Sequence, residues 1–189
     1  MPILDNCATL TGSTILSGTN CSIGGLQAIF YALKDDIDWT ATTWDDSAKT
    51  ITAFTMQSGK VFYEITFNPD TAIRNSTQQN QIAWQNDVTI DILGQSAATA
   101  LQLNKLQLQG CGKVVVVTVD NNCNLRLLGM TRNRANDGFI TVYDPLQFVD
   151  GVDTSGTVSD KARDSITMRC FSRERPLYLD MSLSGIPTS

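Results

Sequence analysis

Residues 113–129, KVVVVTVDNNCNLRLLG, constrain the fold more than any other stretch. Positions 114–119 form a nearly all-apolar, β-branched run, the pattern of a strand buried on both faces. The DNNCN that follows is turn chemistry, because Asn and Asp tolerate left-handed backbone. LRLL at 125–128 then returns as the second strand of a hairpin.

Two further segments upstream read as strands with one apolar face. In VFYEITF, residues 61–67, Val61, Tyr63, Ile65 and Phe67 share a face and Phe62, Glu64 and Thr66 the other. In DVTIDI, residues 87–92, Val88, Ile90 and Ile92 oppose Asp87, Thr89 and Asp91. One wet face on each suits an antiparallel sheet with water on one side. Strands are also expected at 29–33, 50–55 (TITAFT), 139–142 and 165–171 (SITMRCF), the last closing the sheet. LYLDMSL at 177–183 reads as a final edge strand or an arm reaching to a neighbour.

Between residues 96 and 110, Ser96 is a plausible N-cap and Gly110 a plausible stop. Ala97, Leu101 and Leu108 share one helical face with the stem of Lys105, so this segment is expected to be a helix packed across the sheet. Residues 68–81 are polar, carry Pro69 and lack helical periodicity. That is long for a hairpin loop, and it is expected to be ordered by a partner. Residues 1–22 are rich in Thr, Ser and Gly and read as an N-terminal arm. Residues 130–162 read as loop apart from the short strand. The fold class is therefore mainly β: an antiparallel sandwich or small barrel with one flanking α-helix and long loops. After the arm, residues 23–189 form one domain, since 189 residues bury roughly 70 % of the surface that the unfolded chain exposes.

The chemistry that is missing narrows function. There is no histidine, which removes the commonest general base and transition-metal ligand and with it Ser–His–Asp and Cys–His systems. Only two glutamates exist, Glu64 and Glu174, and no aspartate sits in a setting readable as a glycosidase pair. Asp35, Asp36, Asp38, Asp45 and Asp46 lack the ligand spacing of a Ca²⁺ loop and read as turns. No cofactor, metal or enzymatic activity is expected. The five cysteines, Cys7, Cys21, Cys111, Cys123 and Cys170, show no C-x-x-C spacing. With no leader in MPILDNCATLTGS they read as reduced, mostly buried apolar residues. No run approaches a membrane span. The net charge of −5 and absence of a basic stripe argue against nucleic-acid binding through phosphates. Charged residues make up only 17 %, against roughly 25 % in an average globular protein, a surface suited to large protein contacts.

Taken in order, CSIGGLQAIF, FYEITFNPDTAIRNST, NDVTIDI, the helical segment, VVVVTVDNNCNLRLLG and the closing strand before RERP resemble the tail tube and related virion structural proteins of tailed bacteriophages, particularly phages of Bacteroidetes-type hosts. The resemblance spans residues 21–176 and rests on the order of elements. It implies a virion protein that self-assembles into stacked, usually hexameric rings forming the tube through which DNA leaves the capsid. Its partners would be copies of itself and other tail proteins such as tape measure, terminator or baseplate. DNA would pass without specific binding, and assembly would take place in the host cytoplasm. Under it, 61–67 and 87–92 form the long hairpin that lines the lumen, with Glu64, Asp87 and Asp91 facing it as a DNA-repelling ring. The loop with Asn68, Asp70, Arg74, Asn75, Gln78 and Gln79 would reach the adjacent ring. Other readings are a tail terminator, a head–tail connector, a decoration protein, or a carbohydrate- or peptide-binding β-sandwich using Trp39, Trp44 and Trp84 as a stacking surface.

Overall fold

A computed structural model describes residues 25–45, 47–67, 71–80, 83–93, 114–133, 138–141, 144–154, 163–172 and 175–188. In chain order the strands are β1 (Leu26–Leu33), β2 (Thr43–Asp45), β3 (Thr50–Ala53), β4 (Tyr63–Glu64), β5 (Ile73–Asn80), β6 (Ala83–Leu93) and β7 (Val114–Asp120). They continue with β8 (Leu125–Leu128), β9 (Met130–Asn133), β10 (Gly138–Thr141), β11 (Asp144–Thr154), β12 (Arg163–Ser172) and β13 (Leu177–Leu179). A seven-stranded sheet runs β2-β3-β13-β8-β7-β1-β4, a four-stranded sheet β11-β12-β6-β5, and β9 and β10 form a separate ribbon. The fold is mainly β, as expected, and its sheets are open, which selects the sandwich over the barrel. The expected helix and the N-terminal arm lie outside the described residues.

The β7–β8 hairpin forms where the sequence places it, and both faces of β7 are buried. Val114 and Val116 join Leu26, Ile29 and Leu128 against Val88, Ile90, Ile166, Met168 and Cys170 of the four-stranded sheet. Val115, Val117 and Val119 join Phe30, Leu125 and Leu127 in a second core, covered by Ile37, Phe54, Phe62 and Ile186. A strand shared by two cores cannot alternate polar and apolar, which accounts for its unbroken valine run. On β1 the register shifts between Leu26 and Ala28. This bulge turns Leu26 into one core and Ala28 into the other.

The turn from β7 to β8 is held by Asp120. Its Oδ1 accepts from the Asn122 and Asn124 backbone amides, both at 2.9 Å, and both carboxylate oxygens accept from Asn124 Nδ2. Cys123 sits in this turn at φ 61°. It is disulfide-bonded, a correction to the reading of the cysteines as reduced. Its place in a turn rather than in a core is the physical difference from Cys170, which is free and buried. Burial pushes the Cys170 thiol up to about 11, against smaller opposing hydrogen bonds from Gly129 and Asn86. A folded pKa above the unfolded value stabilises the fold below the unfolded value and loses that contribution as pH rises through about 11. The urea midpoint of the protein is therefore expected to fall between pH 9 and 11, and Cys170→Ala to flatten part of that decline.

The segment 61–67 differs from its expected alternation. As a strand only Tyr63–Glu64 forms, paired with β1 and followed by the Ile65 amide donating to the Ile29 carbonyl at 2.9 Å, while Phe62 bridges Thr188 and its amide donates to the Pro187 carbonyl at 2.7 Å. Phe62 is fully buried in one core and Ile65 is buried in the other, whereas Tyr63 and Glu64 are exposed. The chain wraps the edge of the sheet here, so its buried positions fall three apart instead of two. Its expected partner, 87–92, lies in the other sheet as part of β6, paired with β5 and β12. Three further corrections concern the C-terminal half. Within 130–162, read as loop apart from one short strand, β9 and the eleven-residue β11 form in addition. β12 lies inside its sheet, and β13 is inserted between β8 and β3, parallel to the latter.

Candidate interaction surface

Apart from the β9–β10 ribbon, the two sheets have four edge strands among the described residues, and they are not equivalent. In the larger sheet β2 has three residues and β4 two. In the smaller sheet β11 begins Asp144-Pro145, carries Asp150 and Asp153, and shifts register twice. Short length, charge, proline and bulges are the devices that keep an edge from pairing with another chain. The remaining edge, β5, has eight residues, IRNSTQQN, with no proline and no acidic residue. Asn75, Ser76, Thr77, Gln78 and Gln79 are exposed, and Ile73 keeps 51 % of its surface in water. Its one charge, Arg74, turns away between the sheets, where Nη1 donates to Thr118 Oγ1 at 3.1 Å.

This strand occupies most of what the sequence pattern assigns to a loop. Arg74, Asn75, Gln78 and Gln79 all lie on it, paired with β6 from Ile73↔Thr89 to Asn80↔Ala83. Asn68 and Asp70 lie outside the described residues. An edge strand packing little apolar surface shows no period-two signal, so its backbone ladder is invisible to hydrophobic patterning.

The acidic trio does not form one surface. Glu64 is exposed at β4, on the edge of the larger sheet. Asp87 receives Arg169 Nε at 2.8 Å and Nη2 at 3.0 Å, a forked pair that cancels its charge. Asp91 is buried, 7 % exposed. The outer face of the β5–β6 hairpin is instead a hydrogen-bonded polar lattice. Gln79 donates to Gln85 at 2.8 Å, Gln85 to Asp87 at 2.7 Å, and Thr89 and Thr167 bond at 3.1 Å.

The tryptophans do not make a common stacking surface. Trp39 donates Nε1 to the Lys34 carbonyl and meets Phe54 edge-on, and both it and Trp44 pack on the core of the larger sheet. Trp84 lies on the other sheet beneath the Arg175 guanidinium, 4.6 Å from the ring centroid. The aspartates near them serve turns: Asp38 accepts from Thr40 and Ala41, and Asp45 from Ser47 and Ala48. These bonds hold both carboxyls below their usual pKa. Among the described residues no group of three or more His, Cys, Asp or Glu is placed to hold a metal, and no helix is long and apolar enough to cross a membrane. Sequence reasoning missed Arg126 and Tyr178, which meet between β8 and β13. The available signal was an arginine and a tyrosine each flanked by leucines, in LRL and LYL.

Comparison with family models, curated proteins and solved structures finds no match to this chain.

Proposed function

We propose that this chain is a structural protein that assembles with copies of itself through the free edge of β5. On the order of its elements, the assembly is a phage tail tube of stacked rings. The observation that carries the self-assembly reading is the contrast among the four edges: three are blunted, and the fourth is long, uncharged along its outer side and open. Pairing with a neighbour would satisfy its outward backbone groups and extend the four-stranded sheet from subunit to subunit. The long hairpin of the tube family is then β5–β6, in place of the pairing of 61–67 with 87–92 that the resemblance implies.

The face this hairpin would turn to a lumen is amide- and hydroxyl-rich, with Asp87 compensated by Arg169. A wall of this kind offers a phosphate backbone little attraction, so passage without sticking follows from near-neutrality rather than from an acidic ring. Electron microscopy of the purified protein at high concentration tests the reading. Tubes of stacked rings are expected. Single closed rings would move the assignment to a terminator or connector, and a monomer at every concentration would overturn it.

A further inference from the structure

At one end of the space between the sheets, the apolar core gives way to polar side chains. Thr118, Arg126, Tyr178 and Thr50 come one each from β7, β8, β13 and β3 and are paired in register across those strands. Cross-strand partners project from the same face, and here it is the face on which Val116 and Leu128 meet the smaller sheet. From that opposite sheet Arg74 reaches across to Thr118 Oγ1, and the Thr118 hydroxyl donates to the Arg126 carbonyl at 3.4 Å. The Arg126 guanidinium lies over Tyr178, Cζ 3.9 Å from the ring centroid, and Nη2 donates to the Tyr178 hydroxyl.

Two cations gathered this way call for a counter-charge. Neither Arg74 nor Arg126 makes an ion pair among the described residues. Asp120 acts on Arg74 at a distance, yet its carboxylate is taken up by the turn it caps. Burial and, after it, the neighbouring Arg126 lower the proton affinity of Arg74. A second observation is independent of the charges. Arg126 Nε and Thr50 Oγ1 are buried with no hydrogen-bond partner, where buried polar groups are as a rule paired. Tyr178, 45 % exposed, marks the way in from solvent.

We infer that Arg74, Arg126 and Tyr178, with Thr50 and Thr118 beside them, form a binding site for a small oxyanion of phosphate or carboxylate type. Guanidinium forks match such groups in geometry as well as charge. The anion supplies the acceptor that Arg126 Nε lacks and a charged one for Arg74, and the Tyr178 and Thr50 hydroxyls donate to its remaining lone pairs. The site needs no self-assembly, so it stands or falls separately from the tube reading.

Titration of the full chain with inorganic phosphate, and separately with acetate, at constant ionic strength and followed by calorimetry, tests it. Saturable binding of one anion per chain is expected, weakened at least tenfold in Arg74→Gln and in Arg126→Gln. Tighter binding of phosphate points to a free phosphate ligand, and tighter binding of acetate to a carboxylate side chain. Heat that never saturates, or binding unchanged in both variants, overturns the site. Should the variants fail to fold, ¹⁵N-edited spectra of the unaltered protein decide. The Arg74 and Arg126 Nε–H signals must shift together with phosphate, and shifts confined to other arginines overturn the proposal.

Discussion

Phe62→Ala is expected to lower the unfolding free energy by about 3–5 kcal/mol, and Tyr63→Ala to change it by roughly 1 kcal/mol or less. Alternation along VFYEITF predicts the reverse order, so the pair of variants discriminates between the two placements. Phe62 is fully buried, its ring 5.1 Å from that of Phe54, and its amide is tied to Pro187 near the end of the described chain. Tyr63 is 48 % exposed and its ring stands beside that of Tyr31, centroids 5.6 Å apart. Truncating Phe62 leaves a cavity under the segment that covers one core, with β1, β7 and β8 as its floor. Urea unfolding followed by tryptophan fluorescence measures both variants. Equal effects would mean that the chain does not wrap the sheet edge as described.

The second large effect is expected at Gly129, between β8 and β9. Its φ is 94°, a region that side-chain-bearing residues rarely adopt. A Cβ there would lie 2.8 Å from the Val114 carbonyl oxygen and 3.4 Å from Val115 Cα. Both obstacles are backbone of β7, so no rotamer change relieves them. Backbone strain of roughly 1–3 kcal/mol and overpacking of roughly 1–3 kcal/mol together give an expected loss of about 2–6 kcal/mol for Gly129→Ala. Gly59 provides the control. It too has positive φ, 73°, but nothing lies within 4 Å of its added Cβ, so Gly59→Ala reports the strain without the clash. Thermal unfolding of the two variants separates the contributions.

The parts of this fold that were legible in the sequence are those with a chemical contrast along the chain. The β7–β8 hairpin announces itself through a valine run closed by DNNCN, and β6 and β12 through alternation whose buried members are Val88, Ile90, Ile166, Met168 and Cys170. β5 has the sequence pattern of a loop because nearly all its side chains are polar, although its ladder with β6 is continuous from Ile73 to Gln78. β11 was hidden by Pro145, Gly151 and two register shifts. Residues 177–179 carried a strand signal without any hint that they are inserted between β8 and β3. Pairing partners are set by long-range packing, which no local window contains. For the same reason the candidate residues divided. Arg74, Asn75, Gln78 and Gln79 came together on one edge, while Glu64, Asp87 and Asp91 were separated by exposure, ion pairing and burial. The charge of Asp87 is cancelled by an arginine 82 positions away in sequence.

The account centres on the β5 edge as the place where one copy joins the next. Sedimentation of the unaltered protein and of an Asn75→Lys, Thr77→Lys double variant, across a wide concentration range, tests this most directly. Both positions are exposed and project from β5 on the side away from the Arg74 side chain, and lysines there add the charge that guarded edges carry. The unaltered chain is predicted to associate with rising concentration, and the variant to stay monomeric with an unchanged melting temperature. A variant that associates as the unaltered chain does would contradict the account.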